Sequence, residues 1–153
     1  MMIDWSWGQL TDPERAVLRR LAVHADGCTL EAAEAVCAGD GVEAGQVLEA
    51  LVGLVDSSLV MTAPRYRLLE SVAAYGLERL AEAGEAAAVR HRHLRYYTAF
   101  AERAEPYLRG HDQRIRLERL DVEAANLRAA LGFALDAGAT EHALRLVNAQ
   151  AWY

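Results

Sequence analysis

Lysine is absent from this chain; all sixteen basic residues are arginine. Against twenty-two acidic residues they leave a formal net charge of -6. A phosphate or anionic lipid surface repels such a protein unless its cations are gathered on one face, so a dedicated nucleic-acid or acidic-membrane binder is not expected. Arginine without lysine, alongside abundant alanine, points to a GC-rich genome more than to any chemistry. Cysteine is scarce as well: Cys28 and Cys37 fit neither a metal quartet nor a disulfide framework, and a reduced cytoplasm is the default location. No run of about 18 apolar residues could span a bilayer, and no charged-apolar-small signal pattern occurs. The phosphate loop G-x-x-x-x-G-K-[ST] is missing, as are G-x-S-x-G and H-E-x-x-H, so the chain is not expected to be an enzyme. With 53% hydrophobic and 25% charged residues over 153 positions, it has the makings of a soluble globular protein with one good core or two small ones.

What is present is a run of helices closed by a short hairpin. Ile3 to Leu10 carries Trp5 and Trp7. Thr11-Asp12-Pro13-Glu14 is a capping box, which predicts a helix starting at Asp12. Val17, Leu18, Leu21 and Ala22 follow the helical period, and Gly27, after His24-Ala25-Asp26, ends it. Thr29 caps a second helix through Leu30, Ala33, Val36 and Cys37. A third follows Asp40-Gly41, with Val47, Leu48, Leu51, Leu54 and Val55 on its expected buried face, and ends near Asp56-Ser57. Leu59-Val60-Met61-Thr62 and Tyr66-Arg67-Leu68-Leu69 are β-compatible runs around the turn signal Ala63-Pro64, which predicts a tight hairpin. The hairpin runs into a fourth helix, Ser71 to about Ala83, stopped by Gly84. That order is the order of a winged helix, assigned to residues 1–84.

From Glu85 the organisation changes. A long helical pattern through Val89, Tyr96, Tyr97, Phe100 and Ala104 reaches about Leu108 and ends at Gly110. Leu117, Leu120, Ala124, Leu127, Leu131 and Leu135 then recur at three- and four-residue spacing, the stripe of a single helix. Gly138 breaks it, and Thr140 caps a final helix still apolar at Ala151-Trp152-Tyr153, so the pattern is expected to continue past the last residue. Residues 85–153 thus read as an antiparallel helical segment, of the kind that begins a solenoid of repeats, although one helix pair sets no period. The fold class is mainly α.

Candidate chemistry is sparse. His91 and His93, two apart, project roughly 200° apart on a helix; they are not expected to share a metal, and both read as solvated. Arg90, Arg92 and Arg95 are balanced by Glu85, Glu102 and Glu105, giving a mixed surface or, alternatively, a partner-docking strip. In a DNA-binding winged helix the third helix enters the major groove and carries Arg, Lys, Asn or Gln. Here it carries Glu43, Glu49 and Asp56, with Gln46 as its sole base reader and no cation between Asp40 and Met61. Phosphate neutralisation would be unfavourable, so no direct nucleic-acid contact is expected.

The segments in this order resemble the bacterial STAND ATPases, signal-transduction ATPases with numerous domains, in particular the large transcriptional regulators of the SARP and LuxR types. Ile3-Asp4-Trp5-Ser6-Trp7 with Gln9-Leu10 resembles the end of the helix that closes their ATPase module. Residues 14–23 and 29–36 resemble the first two helices of their winged domain. Residues 54–60 and 65–70 are similar to the passage through the wing. Arg119-Leu120-Asp121, Glu123 and Asn126-Leu127-Arg128-Ala129-Ala130-Leu131 resemble the linker helices leading into tetratricopeptide-like sensor repeats. The resemblance spans almost the whole chain. It implies that the winged domain packs against ADP held by an adjacent nucleotide-binding domain and keeps the machine off. Many relatives place a Met-His-Asp triplet at the strand-to-helix junction, whose histidine reaches the β-phosphate. The corresponding residues here are Arg65, Tyr66 and Arg67. A phenol can donate one hydrogen bond and a guanidinium can pair with phosphate.

The expected protein is therefore a cytoplasmic regulatory fragment with no catalytic residue, metal or cofactor of its own. Residues 1–84 are the winged helix, 1–10 being the end of the ATPase-module helix, and 85–153 are a helical linker and the start of the repeats. ADP and ATP belong to the parent protein. The partners would be the missing nucleotide-binding domain and proteins reaching the helical region, with no membrane involved. Two rivals stand beside this reading: a DNA-binding winged-helix transcription factor domain, which needs a cationic third helix, and a free-standing helical adaptor for protein partners.

Overall fold

The computed structural model describes residues 2–62, 64–106 and 113–151. The chain divides into two compact units, one through Val89 and the other from Arg90. In the first, α1 (Met2–Gly8) leads to α2 (Asp12–Leu21), α3 (Leu30–Cys37), α4 (Ala44–Asp56), β1 (Val60–Met61), β2 (Arg67–Leu68) and α5 (Glu70–Glu82). Of the caps read from sequence, those at Thr11 and Thr29 are in place, whereas Thr140 is the first residue of its helix, with Ala139 at the cap position and no side-chain cap bond. Thr11 Oγ1 accepts from the Glu14 amide at 3.3 Å while Glu14 Oε1 accepts from the Thr11 amide at 2.9 Å, and Thr29 Oγ1 accepts from the Ala32 amide at 3.1 Å. These satisfy amides that a helix start otherwise leaves without partners.

The core of this unit is built from Val17, Leu18 and Leu21 of α2, Val36 of α3, Val47, Leu51 and Leu54 of α4, and Leu80 of α5, all buried. Each such side chain contributes about 1.5–3 kcal/mol through removal from water. Leu48, expected inside, is instead exposed. The buried positions 47, 50, 51 and 54 already fill one face of α4, and position 48 is rotated about 100° from 47 toward solvent. α5 crosses α2 in near-backbone contact: a Cβ at Gly76 would sit 3.0 Å from Ala22 Cβ and 3.4 Å from Leu18 O.

The hairpin is shorter than predicted, pairing Val60 with Leu68 and Met61 with Arg67 antiparallel; Ala63 of its turn lies outside the described residues. A further bridge was not anticipated. Cys28 N donates to Tyr66 O and Tyr66 N donates to Cys28 O, both at 3.0 Å, which lays the segment before α3 against the returning strand.

α6 (Ala86–Ala104) contains the division between the units. The second unit continues with α7 (Gln113–Val122), α8 (Ala124–Asp136) and α9 (Thr140–Ala149), the last two forming a helical hairpin through Ala134, Ala143 and Leu146. The expected α6 terminus at Leu108 and Gly110, and the apolar end at Trp152-Tyr153, lie outside the described residues. The single stripe from Leu117 to Leu135 is corrected to two helices, because Glu123 leaves helical geometry and turns its side chain inward. Leu120, Leu127, Ala130 and Ala134 face the interior, while Leu135 is 65% exposed.

Candidate functional site

The three residues singled out at the strand-to-helix junction gather at one turn. Asp26 and Gly27, with φ of 60° and 80°, reverse the chain after α2. Gly27 is needed there twice over: its φ is left-handed, and a Cβ would meet Tyr66 O and Arg67 Cγ, each at 2.8 Å. Arg65 is buried and its Nη2 donates to Gly27 O at 2.9 Å. Arg67 Nη1 pairs with Asp26 Oδ1. Tyr66, half-buried, binds Cys28 through its backbone and, with His24, Asp26, Arg67 and Glu70, lines a cavity of about 230 Å³. Both guanidiniums therefore hold the α2–α3 turn to the hairpin. A phosphate arriving here would compete with Asp26 for Arg67.

The solvent face of α4 is of a different kind. Leu48 is 43% and Val52 54% exposed, next to the exposed acids Glu49 and Asp56. Gln46, the one candidate base reader, accepts the Glu43 amide at 2.8 Å through its side-chain oxygen. Nothing on this face neutralises phosphate.

Residues 10–81 match the family model described as a winged helix-turn-helix domain. They are a winged helix. Similar proteins from Mycobacterium tuberculosis and Mycobacterium bovis, each named "Putative HTH-type transcriptional regulator", are 41% identical over 151 residues. That stretch is 95% of this chain but 17% of theirs. An "Uncharacterized protein" of Mycobacterium tuberculosis is 44% identical over 100 residues, 61% of this chain and 25% of that one. The chain thus spans about a sixth to a quarter of the length of these relatives. No solved structure matches.

The winged domain also holds a buried ion cluster that sequence reading missed. Arg20 is fully buried. Its Nη1 donates to Cys37 O and Gly39 O, both at 2.8 Å, and its Nη2 to Asp40 O at 3.1 Å. Glu85 takes Arg20 Nη2 on Oε2 and Arg19 Nε on Oε1, each at 2.6 Å. Burial pushes the Glu85 carboxyl up, but the hydrogen bonds and charges of Arg19 and Arg20 outweigh it and hold the group at about 2, against 4.5 ordinarily. One guanidinium thus joins α2, the loop after α3 and the segment that opens α6. The available signal was an arginine within the apolar stripe of α2, between Val17 and Leu21. α1 is fastened to the same unit by Arg15, which donates to Trp7 O and Gly8 O at 3.0 Å, and by the Trp7 ring set edge-on to Tyr75 at 5.8 Å.

In the second unit the solvated reading of His93 is corrected, whereas His91 is exposed and lies edge-on to Phe133 at 5.0 Å. His93 is 4% exposed, with Nε2 3.1 Å from Asn126 Oδ1, the geometry of an Nε2–H donating to the amide oxygen. Asn126 Nδ2 reaches Glu123 Oε1 at 3.4 Å, and the Tyr97 hydroxyl donates to Glu123 Oε2 at 3.2 Å. Burial lowers the His93 pKa from 6.5 to about 4; the Asn126 bond opposes this and the Arg90 charge adds to it. A histidine held neutral by burial and hydrogen-bonded to an amide works as a packing element. Among the described residues no group of three or more His, Cys, Asp or Glu side chains could hold a metal ion, and no helix is long and apolar enough to cross a membrane.

Proposed function

We propose that this chain is the winged regulatory module, with the start of a helical sensor region, of a larger cytoplasmic transcription regulator of the STAND ATPase kind. The observation that carries this reading is the outer face of α4, which has acids and exposed aliphatics where a DNA reader needs cations. A winged domain unable to neutralise phosphates on that helix can still couple a nucleotide-binding domain to a sensor, as the resemblance implies. In this reading Tyr66 and Arg67, with Arg65 behind them, face the diphosphate of ADP held by the neighbouring domain, and Arg67 exchanges Asp26 for phosphate. The chain lacks a phosphate loop, so nucleotide binding and hydrolysis belong to the rest of the parent polypeptide. Calorimetry on that polypeptide tests the coupling. Arg67→Ala should weaken ADP by about 1.5–3 kcal/mol, the scale of a hydrogen bond to a charged group, and Tyr66→Phe reports the phenol alone. Unchanged ADP affinity in both variants removes the nucleotide contact from the proposal.

The printed name of the mycobacterial relatives, HTH-type transcriptional regulator, favours a second reading in which the winged domain binds DNA. Fluorescence anisotropy with random duplex separates the two. Binding within the usual non-specific range of about 10⁻⁴ to 10⁻⁶ M, steeply salt-dependent and lost on Arg-to-Ala changes at the hairpin, establishes the second.

A further inference from the structure

We propose that the outer face of α4 is a docking site for a basic amphipathic helix of a protein partner. This goes beyond the regulatory reading but rests on its premise that α4 does not read DNA. Gly45, Leu48, Val52 and Val55 recur at spacings of three, four and three, the seam along which two helices pack. Leu48 and Val52 are about half exposed, Val55 is half-buried, and a Cβ at Gly45 would meet nothing within 4 Å, so the seam is open. It runs about 15 Å along the helix, at roughly 1.5 Å per residue. The fold does not need these side chains, since Val47, Ala50, Leu51 and Leu54 fill the inner face.

Charge selects the occupant. Glu49 and Asp56 each follow a seam residue by one position, which puts both on one edge, where paired helices carry the charges that choose a partner. Both are exposed, and neither forms an ion pair among the described residues. No cation lies between residues 40 and 61. A duplex is repelled by this edge. A helix with aliphatic residues at three-four spacing and arginine or lysine beside them meets both the seam and the acids. Such charges steer encounter and reject like-charged competitors more than they add affinity.

The test uses the 153-residue chain with two synthetic helices of about three heptads, the length of a short coiled coil. Both carry leucine along the seam; one has arginine at the edge positions and the other glutamate. Anisotropy is read at low and high salt, with random duplex as a third probe. The arginine helix should bind roughly tenfold or more tighter than its glutamate twin, with the gap shrinking in salt. Glu49→Arg with Asp56→Arg should reverse the preference. Leu48→Ser with Val52→Ser should lower binding by about tenfold, the scale of lost apolar contact, while leaving the urea midpoint close to the parent's, because both side chains are already about half exposed. Equal binding of the two helices, binding indifferent to these substitutions, or no binding of either overturns the proposal and leaves the regulatory reading standing. Duplex binding that the α4 substitutions abolish overturns both.

Discussion

Glu85→Gln takes the counter-charge from a guanidinium that has no access to water. Arg20 is fully buried. A carboxyl held at about 2 instead of 4.5 is stabilised by the fold by roughly 3 kcal/mol, at about 1.4 kcal/mol per pH unit. Breaking one side of a buried pair costs about 3–5 kcal/mol in general. Here the residual 15% exposure of the Glu85 side chain and the three carbonyls around Arg20 favour the lower figure, about 2–3 kcal/mol. Glutamine also turns one amide nitrogen toward a guanidinium, donor against donor. The sign with pH is fixed by the direction of the shift. Because the folded pKa lies below the unfolded one, the contribution is complete above about pH 4.5 and is lost as pH falls toward about 2. Urea unfolding followed by far-UV circular dichroism, on parent and variant from pH 7 down to pH 3, measures the gap and its closure. Arg20→Met and the double variant complete a cycle that isolates the pair from its surroundings. A gap under about 0.5 kcal/mol at pH 7, the usual size of a surface effect, or one that does not narrow between pH 5 and pH 3, refutes the reasoning.

Gly27→Ala should destabilise the winged domain by about 2 kcal/mol or more, from the left-handed φ and the clash with Tyr66 O; urea unfolding within about 0.5 kcal/mol of the parent would contradict it. His93 should stay neutral well below pH 6.5. Its folded pKa is depressed to about 4, so unfolding becomes easier as pH falls from 6.5 toward 4, by up to roughly 3 kcal/mol. Nitrogen-15 NMR of the imidazole at pH 5.5 checks this directly, and an imidazolium signal there would count against it.

Short-range rules were legible without any structure. The Thr11 and Thr29 caps and the wing-to-α5 junction each depend on residues within four positions of one another, and each is found where it was expected; the helix that Gly27 was expected to end stops earlier, at Leu21 with Ala22 as its cap, and Gly27 turns the loop beyond it. The same locality explains the failures. Leu48 and Leu135 fit an apolar period but lie outside the arc that neighbouring helices cover, and which arc is covered is a matter of packing partners. Glu123 breaks the stripe of the predicted long helix because Tyr97 and Asn126 await its carboxyl oxygens, a condition set 26 residues away in the case of Tyr97.

At the candidate site, sequence brought Arg65, Tyr66 and Arg67 to attention through a resemblance, and the acidic character of α4 through its composition. That both arginines grip the Asp26-Gly27 turn was invisible, since the partners lie 38 and 41 positions away. By itself, then, the sequence determined the helices, the hairpin and the absence of cations on α4, all carried by local propensity, periodicity and charge. Only the tertiary structure decided that Arg20 and His93 are buried and that Leu48 and Val52 are not, because burial is a property of the surfaces that meet, and those surfaces are far apart along the chain.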